Sequence, residues 1–213
     1  MDADRNYQYK PFPGMPRPAK PQFPFDTKPF SDDELRREVW KKRNGSAAGM
    51  NGIPYTVYKR CPRVLQELGK IMRSAQRLRI VAQSWQIGRV TLIPKSGDNS
   101  QPGLMRDITI LNVEGRLFWS VFQRRVANFM LENGYIPRAV QKAFLEGVAG
   151  CVEHATAVGE AVRDARERER QLVLVWLDLN NAFGSVRHAM IQFALKWYHV
   201  LRDVVGLFVH YIY

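Results

Sequence analysis

Apolar residues recur at helical spacing over five stretches of the chain, and these stretches predict helices. Side chains three and four residues apart gather on one helix face, which packs against a core. The predicted helices cover residues 64–79, 113–130, 151–170, 187–198 and 201–213. The apolar stripe of the first predicts mainly core packing, and the alternating charges that end the third indicate a solvated face.

Two shorter runs predict strands of different kinds. Residues 88–94, GRVTLIP, predict a short strand that leads into a polar turn or hairpin tip. Residues 172–177, LVLVWL, are continuously apolar, which is typical of a strand buried on both faces. Asp178 follows this second strand directly, so the sequence places a carboxylate at the end of a buried element.

The first thirty residues predict no regular structure, because they hold seven of the twelve prolines. Proline fixes φ and removes a backbone donor, so a flexible tail is expected here. Ser31 and Glu34 then form the pattern of a capping box, which predicts the start of a short basic helix. The Gly- and Asn-rich residues 44–54 predict a loop. Helices and strands together indicate an α+β fold.

The charge of the chain favours a polyanionic partner. Its 213 residues include 32 Lys and Arg against 20 Asp and Glu, a net charge of +12, and 46% are hydrophobic, enough for a core. Nucleic acid is the leading partner on this basis. A basic surface that only improves solubility is the alternative that charge alone leaves open.

Cysteine usage and hydropathy point to an intracellular protein. The two cysteines, Cys61 and Cys151, lie far apart and outside metal-ligand spacing, so two buried, reduced thiols are expected. No stretch has the length of a membrane-spanning helix or the apolar block of a secretory signal. The expected location is the cytoplasm or nucleus, with no membrane partner.

Asp178 is a candidate site residue because a carboxylate beside a buried strand costs desolvation energy unless a cation compensates it. The alternative is an Asp that begins a turn or caps the next helix. The surrounding string, LVWLDLNNAFGSVRH, decides between them. It resembles the first catalytic motif of reverse transcriptases, in which an Asp that closes a palm strand is followed after three residues by Ala-Phe.

Four upstream segments also resemble reverse transcriptases of the non-LTR retrotransposon type, in the expected order. They are AAGMNGIPYTVYK, VTLIPKSG, MRDITILNVEGRLF and QKAFLEGVAGCVEH, and with the catalytic string they cover about residues 46–190. The resemblance implies a right-hand polymerase fragment with helical fingers and an incomplete palm. Residues 1–30 would be the tail, 31–170 the fingers and 171–213 the start of the palm.

The resemblance also implies roles for individual residues. Asp178 would bind two Mg²⁺ ions, with the Leu179 carbonyl completing one site. Lys95 and Arg106 would hold the triphosphate of the incoming deoxynucleotide, although two ordinary surface cations would look the same without the flanking motifs. Phe183 would lie under the sugar and exclude a 2′-hydroxyl, or serve as a core aromatic.

Gln141 would approach the template strand, while a lone Gln elsewhere is more often a loop hydrogen bonder. The sequence departs from the family at Gly184, where many relatives carry a second Asp, and at Ala143, where Gly is usual. Neither an extra carboxylate nor a close backbone approach is therefore expected at these two positions.

The catalytic set implied by the family is incomplete in this sequence. Two-metal catalysis needs at least one more carboxylate, which the family supplies in a Tyr-x-Asp-Asp hairpin, and no Asp-Asp pair follows Asp178. The chain is therefore expected to stop before the second carboxylate motif and to be inactive alone. A palm sheet that holds only residues 172–177 lacks neighbouring strands, so part of that strand is expected to be exposed.

The complete enzyme would be an RNA-directed DNA polymerase that adds deoxynucleotides to the 3′ end of a DNA primer on an RNA template. The alternative is a remnant of a retroelement that binds nucleic acid without catalysis. A purely structural or interaction protein is a third interpretation, which the charge and the ordered motifs disfavour.

Overall fold

The computed structural model describes residues 16–95, 105–143, 145, 147–178 and 186–212. Within them it contains eight helices and one antiparallel pair of strands, which confirms the α+β class. The elements are α1 (Asp32–Lys41), α2 (Tyr55–Arg60), α3 (Pro62–Leu78), α4 (Gln83–Gln86), β1 (Gly88–Pro94), β2 (Met105–Leu111), α5 (Val113–Glu132), α6 (Cys151–Glu167), α7 (His188–Trp197) and α8 (Arg202–Ile212). None of these helices is both long and apolar enough to cross a membrane. The expectation of two buried thiols is wrong, because both cysteines lie exposed at helix ends, Cys61 directly after α2 and Cys151 at the start of α6.

The chain divides into two compact units. Residues 24–126 and 199–213 form one, named here the packed unit. Residues 1–23 and 127–198 form the other, named the sparse unit.

An aromatic cluster forms the centre of the packed unit. The Phe118 ring is fully buried, and the ring centroids of Phe30, Trp85 and Phe122 lie 5.2 to 5.4 Å from its own. Edge-on and tilted packing of this kind stabilises a core beyond simple burial of area. The cluster joins α5 to α4 and to the segment that precedes α1.

The capping box predicted at the start of α1 is present. The Ser31 hydroxyl accepts from the Glu34 backbone N–H at 3.1 Å, and the Glu34 carboxylate accepts from the Ser31 N–H at 2.8 Å. Glu34 also binds Arg125 through two contacts of 2.7 Å, and the Arg125 side chain is 5% exposed. This bidentate pair fastens α1 to α5.

The proline-rich stretch has no helix or strand over residues 16–30, as predicted, but part of it belongs to the core. Phe25 and Phe30 are buried, which the proline count had not indicated. Arg125 donates to the backbone carbonyl of Lys28 at 2.5 Å and to that of Asp26 at 3.2 Å. These contacts satisfy the buried backbone of a segment without secondary structure.

The prediction that most of the α3 stripe packs in the core is wrong for three of its seven apolar residues. Leu68 and Met72 are buried, whereas Val64, Ile71 and Leu78 are 42 to 59% exposed. The apolar positions therefore cover a wider arc of α3 than the packed unit buries.

The sparse unit buries little. Helices α6 and α7 have no fully buried residue. Its N-terminal stretch is held by Asn133, whose side-chain oxygen accepts from the N–H groups of Gln22 at 2.7 Å and Phe23 at 2.9 Å.

The prediction of a strand buried on both faces at residues 172–177 is wrong for this structure. The segment belongs to neither strand of the described sheet, and its side chains are 41 to 94% exposed. An apolar strand needs partners on both edges and cover on both faces, and the described residues provide none. The expectation that part of this segment is exposed is confirmed.

Candidate nucleic-acid interface

Strands β1 and β2 form an antiparallel hairpin that brings two predicted site residues together. Ile93 pairs with Arg106 and Pro94 pairs with Met105, and Lys95 follows Pro94 directly. Directly opposed residues of an antiparallel pair share a face, and so do residues two apart along a strand. Arg106 therefore shares the face of Ile93, and Lys95, which follows β1 directly, lies at the same end of the hairpin.

The same register reveals a third cation on this face. Arg89 lies four residues before Ile93 and pairs with Ile110, so it shares the face of Arg106. Arg89, Lys95 and Arg106 are all exposed. Sequence reasoning missed Arg89, because its side of the strand becomes meaningful only once the register is known. We call Arg89, Lys95 and Arg106 the cationic hairpin face.

The base of the hairpin is fixed by Asn112, the residue after β2. Its amide nitrogen donates to the Ser84 carbonyl at 2.8 Å, and its oxygen accepts from the Asn51 N–H at 3.1 Å. A Cβ at Gly49 would lie within 2.6 Å of Asn112 atoms, so only glycine allows the loop at residues 44–54 to approach this closely. The predicted loop is present, and it is docked rather than free.

A second group of contacts holds the loop against the start of α5. The Tyr58 hydroxyl donates to Glu114 at 2.5 Å, and the Asn51 amide donates to the same carboxylate at 3.1 Å. Burial raises the pKa of the Tyr58 hydroxyl above its usual range, and the hydrogen bond to Glu114 raises it further. Tyr58 therefore remains a neutral donor at physiological pH. A rigid base of this kind fixes the direction in which the hairpin projects.

Positive charge is concentrated in the packed unit. Its residues include 20 Lys and Arg against 10 Asp and Glu, a net charge of +10, whereas the sparse unit has 12 against 10. Some of these cations are used internally, as Arg124 and Arg125 pair with Glu38 and Glu34. The cationic hairpin face is exposed, so it can meet a polyanion.

The other predicted site residues fall in the sparse unit or outside the described residues. Asp178 is exposed at the end of the extended segment, and Gln141 is exposed and donates to the Ala143 carbonyl at 3.0 Å. Leu179 and Phe183 lie outside the described residues. In the described part of the chain, no group of three or more His, Cys, Asp and Glu side chains is arranged to hold a metal ion.

Comparison with known proteins relates the chain to retrotransposons. It is 30% identical over 172 residues to the retrovirus-related Pol polyprotein from type-1 retrotransposable element R2 of Nasonia vitripennis, over 79% of this chain and 15% of that protein. It is 28% identical over 173 residues to the corresponding protein of Popillia japonica, over 79% of this chain and 22% of that protein.

A shorter match, of 29% identity over 115 residues, joins it to the Pol polyprotein from type-2 retrotransposable element R2DM of Drosophila melanogaster, over 54% of this chain and 10% of that protein. No protein-family model matches the chain. The chain is thus a distant relative of R2 Pol polyproteins and spans less than a quarter of the length of these relatives.

Proposed function

We propose that this chain forms the fingers and the start of the palm of an RNA-directed DNA polymerase. The observation that carries the proposal is the hairpin register, which puts Arg106 opposite Ile93 on an exposed face, at the same end of the hairpin as Lys95. Two cations at the end of a rigidly based hairpin suit a triphosphate, because Arg supplies a planar fork and Lys a compact charge. The distant relation to R2 Pol polyproteins supports the same assignment.

In this function the fingers bind the template and the nucleotide triphosphate, and the palm carries out phosphoryl transfer. Phosphoryl transfer depends mainly on positioning and charge neutralisation, so a basic unit that orients template and triphosphate supplies a large part of what the reaction needs. The RNA template and DNA primer would lie along the basic surface. The incoming deoxynucleotide triphosphate would lie at the tip of the cationic hairpin face.

The described residues do not by themselves form a Mg²⁺ site. Asp178 offers one exposed carboxylate, and the described part of the chain brings no second and third ligand to it. A two-metal site requires further carboxylates. The assignment of Asp178 and Leu179 as ligands and of Phe183 as the residue beneath the sugar therefore remains a prediction.

A chimera tests the polymerase assignment directly. The matched segment of the Nasonia vitripennis Pol polyprotein is replaced by the corresponding residues of this chain, and primer extension is measured on an RNA template. We expect extension to be retained in the chimera and to fall about 100-fold or more in Asp178→Asn, because a charge needed only during chemistry is removed. Glu160→Gln is the matched control, since it removes an exposed carboxylate from α6. Equal activity in the two variants would refute the role of Asp178.

Nucleic-acid binding without catalysis is the second candidate function, and the charge of the packed unit favours it. The net charge of +10 there requires no metal and no contribution from Asp178. On this alternative, the 213-residue chain binds RNA tightly while a chimera that contains it fails to extend a primer. The same two assays therefore separate the candidates.

A further inference from the structure

A cavity of about 460 Å³ lies within the packed unit and has no role in the function proposed above. Its walls come from the segment before α1, from α3 and from the first half of α8, with one residue of α5. None of its lining residues belongs to β1 or β2. The volume is within the roughly 300–1,000 Å³ that small-molecule sites occupy.

One side of the cavity is apolar and the other carries arginines. Phe25, Phe122, Val204 and Leu207 provide buried apolar surface. Arg73, Arg77 and Arg79 lie on the α3 side. This combination suits a ligand that has both a flat apolar part and a negative charge.

The walls are fixed before any ligand arrives. The Gln76 side chain accepts from the Phe30 N–H at 3.1 Å and donates to the Lys28 carbonyl at 2.9 Å. Arg73 donates to Asp32 at 2.7 Å and to the Phe30 carbonyl at 3.2 Å. Side chains from α3 thus hold the opposite wall in place. A site that is already formed saves the ordering cost that weakens binding.

The charges around the cavity differ in availability. Arg79 pairs with Asp203 at 2.6 Å, and the Asp26 carboxylate accepts from the Lys28 N–H at 3.0 Å. Arg77 is exposed and makes no hydrogen bond or ion pair with the described residues. Arg77 is therefore the guanidinium on this rim that is ready to receive an anion.

We propose that this cavity binds one unpaired nucleotide, with the base against the apolar wall and the phosphate at Arg77. Every base has a flat face that can lie against an apolar wall, and Arg recognises phosphate through its planar fork. An inorganic anion would leave the apolar wall unused, and an apolar molecule would leave Arg77 unpaired. A nucleotide uses both sides, and the +10 charge of the unit brings nucleic acid to it.

The whole 213-residue chain is tested with labelled 12-nucleotide single-stranded RNA and with an abasic strand of the same length and charge. We expect the strand with bases to bind about 10-fold more tightly than the abasic strand. Ser74→Phe places a ring in the cavity without changing the charge, and it should reduce this difference to less than about 2-fold.

Arg63→Gln is the matched control for Arg77→Gln. Both arginines are exposed on α3, about four helical turns apart on the same side, but only Arg77 lines the cavity. We expect Arg77→Gln to weaken binding of the strand with bases about 10-fold and Arg63→Gln less than about 2-fold. Far-ultraviolet circular dichroism establishes that each variant is folded.

Competition with AMP and with inorganic phosphate identifies the source of the nucleotide. Displacement of RNA by AMP in an Arg77-dependent manner indicates a free nucleotide, and displacement only by unlabelled strand indicates a nucleotide within RNA. Equal binding of the abasic strand, together with equal losses in Arg77→Gln and Arg63→Gln, would overturn the cavity proposal. It would leave the function proposed for the hairpin intact, since that rests on the register of β1 and β2 and not on the cavity.

Discussion

The two units of this chain differ in how completely they bury their apolar side chains and pair their charged ones. The packed unit buries an aromatic cluster and pairs its buried charges, as Arg125 does with Glu34. In the sparse unit, Phe129 is the one fully buried residue among those described, and residues 172–177 expose a continuous apolar run. The packed unit also carries +10 of the net charge of +12.

This contrast separates binding from chemistry along the chain. The cationic hairpin face and the cavity are built from the packed unit alone, so we expect binding at either place not to require the sparse unit. Asp178 and Gln141 belong to the unit in which residues 172–177 expose their apolar side chains. The predictions below test this separation, from the largest expected effect to the smallest.

The contrast in packing predicts unequal costs for the same substitution. Phe118→Ala should lower the free energy of unfolding by about 3–5 kcal/mol, because the ring is fully buried among other aromatic rings. Phe193→Ala in α7 should cost about 1 kcal/mol, since that ring is only partly buried against Trp197. Urea unfolding followed by circular dichroism measures both. Similar losses would show that the sparse unit is as well packed as the other.

The buried ion pair makes the packed unit sensitive to acid. Burial raises the pKa of Glu34, but the hydrogen bonds from Arg125 and Ser31 outweigh it and hold that pKa below its ordinary value of 4.5. The folded state therefore binds this proton less readily than the unfolded state does. The stabilisation is full above about pH 4.5 and is lost as pH falls through the lowered pKa.

Glu34→Gln should lower the free energy of unfolding by about 2 kcal/mol at pH 7, since Arg125 loses its charged partner. It should also reduce the further loss of stability between pH 7 and pH 4. Urea unfolding at pH 7 and at pH 4 measures both effects. Asp33→Asn is the control, because Asp33 is exposed and pairs only with the exposed Arg36. If Glu34→Gln loses as much stability between pH 7 and pH 4 as the unchanged protein, Glu34 is not the cause of the acid sensitivity.

The contrast in charge predicts where RNA binds. The pair Arg89→Gln and Arg106→Gln should weaken single-stranded RNA binding about 10-fold and lower the slope of log affinity against log salt by roughly 1.4. Arg163→Gln with Arg166→Gln removes the same charge from α6 and should change affinity less than about 2-fold. Fluorescence anisotropy at several salt concentrations measures both quantities. Equal effects would mean that RNA contacts both units alike.

The exposed apolar segment should affect solubility rather than stability. Trp176 is 77% exposed, so Trp176→Ser should change the unfolding free energy by less than about 0.5 kcal/mol. Light scattering should nevertheless fall, because unpaired apolar strands associate edge to edge. Trp40→Ser, at a 62% exposed position in the packed unit, should leave scattering unchanged. If scattering is the same in both variants, association arises elsewhere.

Local signals in the sequence were enough to predict most of the elements. Ser31 and Glu34 marked the start of α1 because a capping box is complete within four residues. The strand at residues 88–94 has the predicted bounds, and helices α5 and α6 begin where predicted, at Val113 and Cys151. These features depend on residues that are neighbours in sequence, so a single sequence is enough to predict them.

Features that depend on distant residues could not be predicted in this way. The burial of Phe25 and Phe30 rests on Arg125 and Gln76, which lie far along the chain. The apolar pattern of residues 172–177 indicates that a strand there would need neighbouring strands and cover on both faces. It does not show whether the folded chain provides them. For the same reason Arg89 and the cavity became visible only in the folded chain. The roles of Lys95 and Arg106 stay predictions, although the register brings the two residues together.

The contact between Arg125 and the Lys28 carbonyl also affects the order in which parts of the packed unit can assemble during synthesis on the ribosome. The Lys28 carbonyl that Arg125 binds precedes it by 97 residues, so the segment before α1 cannot acquire its partner until α5 has been synthesised. At about 5–20 residues per second, this delay is roughly 5–20 s, during which Phe25 and Phe30 remain accessible to chaperones. Phe25 and Phe30 therefore leave the exit tunnel well before Arg125, which completes the contacts of their segment.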